Sequence, residues 1–180
     1  MAEDEQKAPE RQLAVQKIYV KDFSFESPHA PTVFTRTDWS PKTDLNLRSS
    51  HTAVAESIHE VVLTITVEAK EDDNTLFLVE LQQAGLFHID GYKEGEFKAL
   101  IGSFCPNILF PYARESISNV VSKGGFPEFL LQPINFDALY AQGLAQAQAQ
   151  AEAEPAAAVG NGGDGGDGGD GGDGGGEATH

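Results

Sequence analysis

The plainest signal along the chain is alternation. In "IHEVVLTITVEAK" (58–70), Val61, Leu63, Ile65, Val67 and Ala69 fall on one parity and Val62, Thr64, Thr66 and Glu68 on the other. That two-residue period is the mark of a strand with one face in a core. "EDDN" supplies turn residues, and "TLFLVELQQAGLF" (75–87) comes next as a partner strand, so the two predict a hairpin. Upstream, "VQKIYVKDFSFE" (15–26) is rich in β-branched and aromatic residues, and "TDLNLRS" (43–49) alternates Leu45 and Leu47. In a regular strand Asp22, Ser24 and Glu26 share one face, and Lys21, Phe23 and Phe25 the other. By the same rule Leu76 and Leu78 stand beside Glu80. The prediction is a four-stranded, mostly antiparallel sheet.

After Gly91 the period lengthens. From about Pro111, Ala113, Ile117, Val120 and Val121 form a helical stripe, which Gly124-Gly125 closes. Pro111 is tolerated in a first helical turn, so "FCPNILFPYARESI" (104–117) reads as the proline-set start of a helix. Asn135 can cap a last helix with Phe136, Leu139, Tyr140 and Leu144 on one face. Two long connections are unusually apolar. "SPHAPTVFTRTDWSPK" (27–42) carries Phe34 and the only tryptophan, Trp39, and "GGFPEFLLQPIN" (124–135) carries Phe126, Phe129, Leu130 and Leu131. Such loops either cover the edge of a core or line a binding groove, and pattern alone leaves both open.

Composition changes this picture mainly at the ends. Residues 1–14 are polar and expected to be loose, 15–154 form one domain, and 155–180 are a Gly/Asp-rich tail. Twelve of the 19 glycines lie between Gly160 and Gly176. The repeat there has a period of three and nothing to bury, unlike calcium-binding β-rolls, so a flexible soluble extension is expected. The net charge is −16, with five of the carboxylates in the tail and −11 left on residues 1–154. That sign argues against nucleic acid, which needs Lys and Arg to neutralise phosphates. It fits a cationic partner or simply a solvated surface.

"MAEDEQKAPERQL" has no basic segment followed by an apolar one, so no signal peptide is expected. No apolar run has the length to span a bilayer. Cys105 is the only cysteine, which precludes an intrachain disulfide and fits a reducing compartment; a cytoplasmic location is the expectation.

Catalytic signals are absent. Phe104, Pro106 and Ile108 around Cys105 suit a small buried hydrophobe rather than a reactive thiolate. His29, His51, His59 and His88 show no metal-ligand spacing. No phosphate-cradling glycine loop is present. Neither an enzyme nor a cofactor or metal is expected.

Taken together, "IYVKDFSFE", "FLVELQQAGLF", "CPNILFPYARE" and "INFDALY" closely resemble SecB, the bacterial protein-export chaperone family, in order from about Gln16 to Tyr140. The resemblance implies an α+β fold, with helices packed on one side of a four-stranded antiparallel sheet. It implies a homotetramer, a dimer of dimers, in which Phe110, Tyr112, Ile117, Val120 and Val121 would pack between subunits. It also implies an ATP-independent chaperone that holds unfolded precursor proteins translocation-competent and delivers them to the SecA export motor, with no membrane insertion.

By the same resemblance, clients would lie in apolar grooves at Phe34, Trp39, Leu45, Leu47, Phe126, Phe129 and Leu130. The motor, through a basic zinc-containing tail, would meet Asp22, Glu26, Leu78 and Glu80. The strand reading independently puts 22 with 26, and 78 with 80. The alternative on the same fold is a general or toxin–antitoxin-associated chaperone with no export role.

Overall fold

The computed structural model describes residues 10–36 and 38–153. The tail expected at 155–180 and most of the expected N-terminal segment lie outside them. The chain divides into two units, residues 1–143 and 144–180, and the whole sheet belongs to the first. Four strands, β1 (Gln12–Glu26), β2 (Lys42–Ala55), β3 (Ile58–Glu71) and β4 (Asn74–Asp90), form one antiparallel sheet in the order β1-β4-β3-β2. After them come a short helix α1 (Glu94–Ala99), a π-helical turn (Leu100–Phe104), α2 (Cys105–Lys123) and α3 (Phe136–Ala153). The expected α+β class holds.

The strand order explains the first long connection. β1 and β2 occupy opposite edges of the sheet, so residues 27–41 must cross its whole end. They bring a 3-10 turn (Thr32–Thr35) and Trp39 with them.

The alternation in β3 works as predicted. Val61, Leu63, Ile65 and Val67 are fully buried against Val79, Leu81 and Phe87 of β4. α2 lies on β3 and β4 and fills the layer above with Cys105, Leu109, Ala113, Ile117 and Val121, all fully buried. Each large apolar side chain so placed stabilises by about 1.5–3 kcal/mol.

Two expectations about this layer need correction. Leu76 is not on the face of Leu78 and Glu80. A register shift opposite Ala69/Lys70 leaves it out of the ladder, and it turns into the core beside Phe77. Next, α2 begins at Cys105 rather than near Pro111, so Pro111 lies inside it. Pro111 is exposed, so the Asn107 carbonyl that its ring leaves without a donor can face water. Pro106, near the N-terminus of α2, stands directly after the π turn, where Cys105 N–H bonds the Leu100 carbonyl. The widened turn falls where the ring of Pro106 would otherwise meet the Gly102 carbonyl.

The helical stripe packs onto the sheet: Phe110, Ile117 and Val121 are buried within this chain. The core over the sheet covers them, and the ring of Phe136 stands 5.7 Å from that of Phe110. Of the residues expected between subunits, Tyr112 is exposed and Val120 partly buried.

The helix ends obey local chemistry. At the C-terminus of α2, Gly125 N–H bonds the Ser122 carbonyl and Phe126 N–H bonds that of Val121. This paired pattern needs a left-handed residue, supplied by Gly125 at φ +86°. It turns the chain so that Phe126 drops into the core. Asn135 caps α3 as expected, its Oδ1 accepting from Ala138 N–H at 3.0 Å.

Candidate functional site

Two features stand out, at one end of the sheet and on its outer face. At the end where the 27–41 crossing meets the 124–135 connection, aromatic rings gather around Phe126. Its ring centroid lies 5.0 Å from Phe77, 5.2 Å from Phe34, 5.3 Å from Trp39 and 6.4 Å from Phe25. Phe129 joins at 6.1 Å from Phe77. Beside this cluster is a cavity of about 220 Å³ lined by Trp39, Thr43, Ala69, Phe77, Phe126 and Phe129 among others. A second of about 420 Å³ adjoins it, where Trp39 and Leu76 meet polar groups including His29, Arg36 and Glu71. There Arg36 and Glu71 are paired at 2.9 Å.

The sequence-predicted groove residues separate by role. Phe126 is buried and forms the floor. Trp39, Phe129 and Leu47 are half-buried walls packed against the core. Phe34 on the crossing and Leu45 on β2 are 41% and 45% exposed, whereas Leu130, 50% exposed, lines a separate cavity of about 580 Å³ with Phe110, Pro111, Arg114 and Ile134. Leu45 and Leu47 sit on β2 opposite Val67 and Ile65, so they share the inner face of the sheet. The Nε1–H of Trp39 is buried without a hydrogen-bond partner. A packed aromatic floor with exposed apolar rims can take up several apolar side chains without reading their order.

The outer face is different in kind. The β1–β4 register sets Asp22 opposite Gln82, Ser24 opposite Glu80 and Glu26 opposite Leu78. Residues directly opposite share a face, so Asp22, Glu26, Leu78 and Glu80 come together on one surface, away from the helices. Continuing across the sheet, Leu78 and Glu80 face Glu68 and Thr66 of β3. Asp22, Glu26 and Glu80 belong to no ion pair among the described residues, whereas Glu68 is held by Lys70 at 2.9 Å. Three uncommitted carboxylates around one leucine can steer a cationic partner and offer it a desolvated contact.

Further along this face Tyr19, opposite Ala84, reaches across β4 and donates to Glu60, which also accepts from Lys21 at 2.7 Å. These bonds hold the Glu60 carboxyl below its usual range and push the Tyr19 phenol up to about 12. A β-bulge at Lys21 resets the strand so that Asp22 still faces outward. No sequence signal marked it.

Among the described residues no helix is long and apolar enough to cross a membrane. Cys105 is fully buried and its thiol is pushed up to about 12 by desolvation, which leaves it protonated and unreactive in the folded chain.

The family described as preprotein translocase subunit SecB matches residues 5–147. The protein-export protein SecB of Methylococcus capsulatus is 54% identical over 145 residues, covering 81% of this chain and 93% of its own length. That of Nitrosococcus oceani is 51% identical over 155 residues, covering 82% and 94%. Among solved structures, a SecB-like chaperone of Mycobacterium tuberculosis in complex with a ChAD peptide from an antitoxin matches with a TM-score of 0.58. Its identity is 17%, over 68% of this chain and 90% of its own. That likeness carries the fold; the sequence matches carry the lineage, and by them this chain belongs to the SecB family.

Proposed function

We propose that this protein works as an ATP-independent protein-export chaperone that holds unfolded precursors in the aromatic groove and hands them to the SecA motor. The observation that carries this reading is the pairing of two unlike surfaces. One is an apolar groove floored by Phe126 and walled by Trp39 and Phe129, with the exposed Phe34 against its floor; the other is an outer face of free carboxylates around Leu78. Burying one Leu or Phe of a client contributes roughly 1.5–3 kcal/mol. Several must therefore be engaged at once to offset the ordering of an extended chain. Only unfolded proteins present them, so selection needs no sequence readout and no chemical step.

In this reading Asp22, Glu26, Leu78 and Glu80 receive the basic, zinc-containing tail of the motor. The chain acts in the cytoplasm as a homotetramer, with Tyr112 and Val120 of α2 at subunit contacts. The export role is favoured over a toxin–antitoxin role because relatives at 54% and 51% identity are named export proteins, against 17% for the antitoxin-peptide complex. The test is a paired pull-down from purified components, using a urea-unfolded precursor and the SecA motor. Capture of the precursor alone would leave a holding chaperone without an export partner, and capture of neither would end the proposal.

A further inference from the structure

Along the sequence the histidines show no ligand spacing, but the β2–β3 ladder creates one. It pairs His51 with Val61 and Ala53 with His59, so the two imidazoles stand diagonally on neighbouring strands, on the inner face of the sheet. His51 Nε2 lies 3.0 Å from His59 Nδ1, with ring centroids 5.1 Å apart. Phe97 of α1 abuts both rings edge-on, at 5.6 Å and 4.8 Å. His59 is buried, whereas His51 is exposed at the edge of the sheet.

We propose that His51 Nε2 and His59 Nδ1 form a binding site for a divalent cation of imidazole preference, Zn²⁺, Ni²⁺ or Cu²⁺, with water completing its coordination. Imidazole nitrogens bind such ions at about 2.0–2.1 Å. Two bonds of that length across the observed 3.0 Å meet at about 95°, the angle between neighbouring ligands of square-planar and octahedral ions. Replacing the N–H···N bond by N–metal–N therefore asks for rotation of the exposed His51 ring and leaves the His59 backbone where it is. In the neutral pair, whichever ring donates across the contact moves that proton to its other nitrogen, and none is released. If the pair carries an extra proton, binding expels it.

Burial first, then the neighbouring His51 and His88, lower the proton affinity of His59. Of the charged groups on α1, Glu94 and Lys98 are paired with each other and Glu96 with Arg11. Among the described residues no third His, Cys, Asp or Glu gathers with the pair. The site is thus an exchangeable one, and without carboxylate oxygens it does not suit Ca²⁺ or Mg²⁺. Its effect would be to clamp edge strand β2 to β3, at a place independent of the client and motor surfaces.

The experiment is calorimetric titration of the full chain with NiCl₂ at pH 7.5 and pH 5.5, beside His51→Gln and His59→Gln. The wild type should bind one more equivalent per chain than either variant. That equivalent should weaken at least about tenfold at the lower pH and in each variant, since even outer-shell partners command 10–100-fold. Circular dichroism checks folding; should the buried His59 variant fail to fold, the exposed His51 variant decides. A folded His51→Gln protein with wild-type stoichiometry and affinity would overturn the assignment, as would a wild type that binds no Ni²⁺ or an equivalent indifferent to pH. None of these results bears on client holding.

Discussion

The ring of Phe126 rests 5.0 Å from that of Phe77, with Phe34 and Trp39 closing over it. Phe126 is 6% exposed, whereas Leu130, four residues on, is 50% exposed. Residues of one apolar loop therefore differ in what their removal would cost. Phe126→Ala should destabilise by about 3–5 kcal/mol through lost burial and the cavity left behind. Leu130→Ala should change stability by less than about 0.5 kcal/mol. Urea unfolding of both variants checks this, and equal losses would mean that Leu130 is buried too.

A second expectation concerns acid. Lys21 first, then Tyr19, hold the Glu60 carboxyl below its usual range. A group whose folded pKa is depressed stabilises above its unfolded pKa, and that contribution is lost as pH falls through the folded value. Glu60→Gln should therefore be less stable than the wild type at pH 7, with the gap closing from about pH 4.3 downward. Thermal melting across pH 3–7 measures the gap. A gap that stayed constant with pH would remove the carboxylate from the explanation.

Cys105 offers a kinetic probe of the core. It is fully buried at the start of α2, and desolvation pushes its thiol up to about 12. Attack needs thiolate and access together. Reaction with a disulfide reagent at pH 8 should be slow in the native protein and complete at once in denaturant. Rapid native labelling would show that the π turn and the first turn of α2 open locally rather than with the whole fold.

How much of the fold was legible in the sequence depends on the range of each interaction. The β3 alternation, the Gly124-Gly125 stop and the Asn135 cap rest on neighbours within a few residues, and all three were legible. α1 and the π turn were missed because "EGEFKALIGSF" is interrupted by Gly95 and Gly102. Gly102 is there for a distant reason: a Cβ at that position would run into the ring of Tyr140 on α3.

β2 extends to Ala55, well past the predicted end at residue 49. "SHTAVA" (50–55) has no clean alternation, because an edge strand is held by its ladder with β3 more than by burial. Leu76 was misplaced by a bulge that parity cannot see. Among the site residues, parity put 22 with 26 and 78 with 80, and only the β1–β4 register, with its bulge at Lys21, brings the two pairs onto one face. The His51–His59 contact depends on the register across a turn, so spacing alone could not reveal it.

The two surfaces should fail separately. Asp22, Glu26, Leu78 and Glu80 share the outer face, while Phe129 lines the aromatic cavity on the other side of the sheet and Leu130 the cavity beside α2. Glu80→Lys places a like charge before a basic partner, and a loss of about 1.4 kcal/mol would already be tenfold in affinity. Glu80 faces Ser24 and Thr66 across its neighbours, so the lysine meets no core side chain and stability should hold. The paired change Phe129→Ser and Leu130→Ser leaves the Phe126 floor in place and removes one wall of the groove and the exposed leucine next to it in sequence. It should abolish suppression of client aggregation while motor capture persists. Motor pull-down at low and high salt, set beside light scattering of an aggregating precursor, reads the two functions apart. If each folded variant lost both, the groove and the carboxylate face would be one coupled site, and the division of labour proposed for this chain would be wrong.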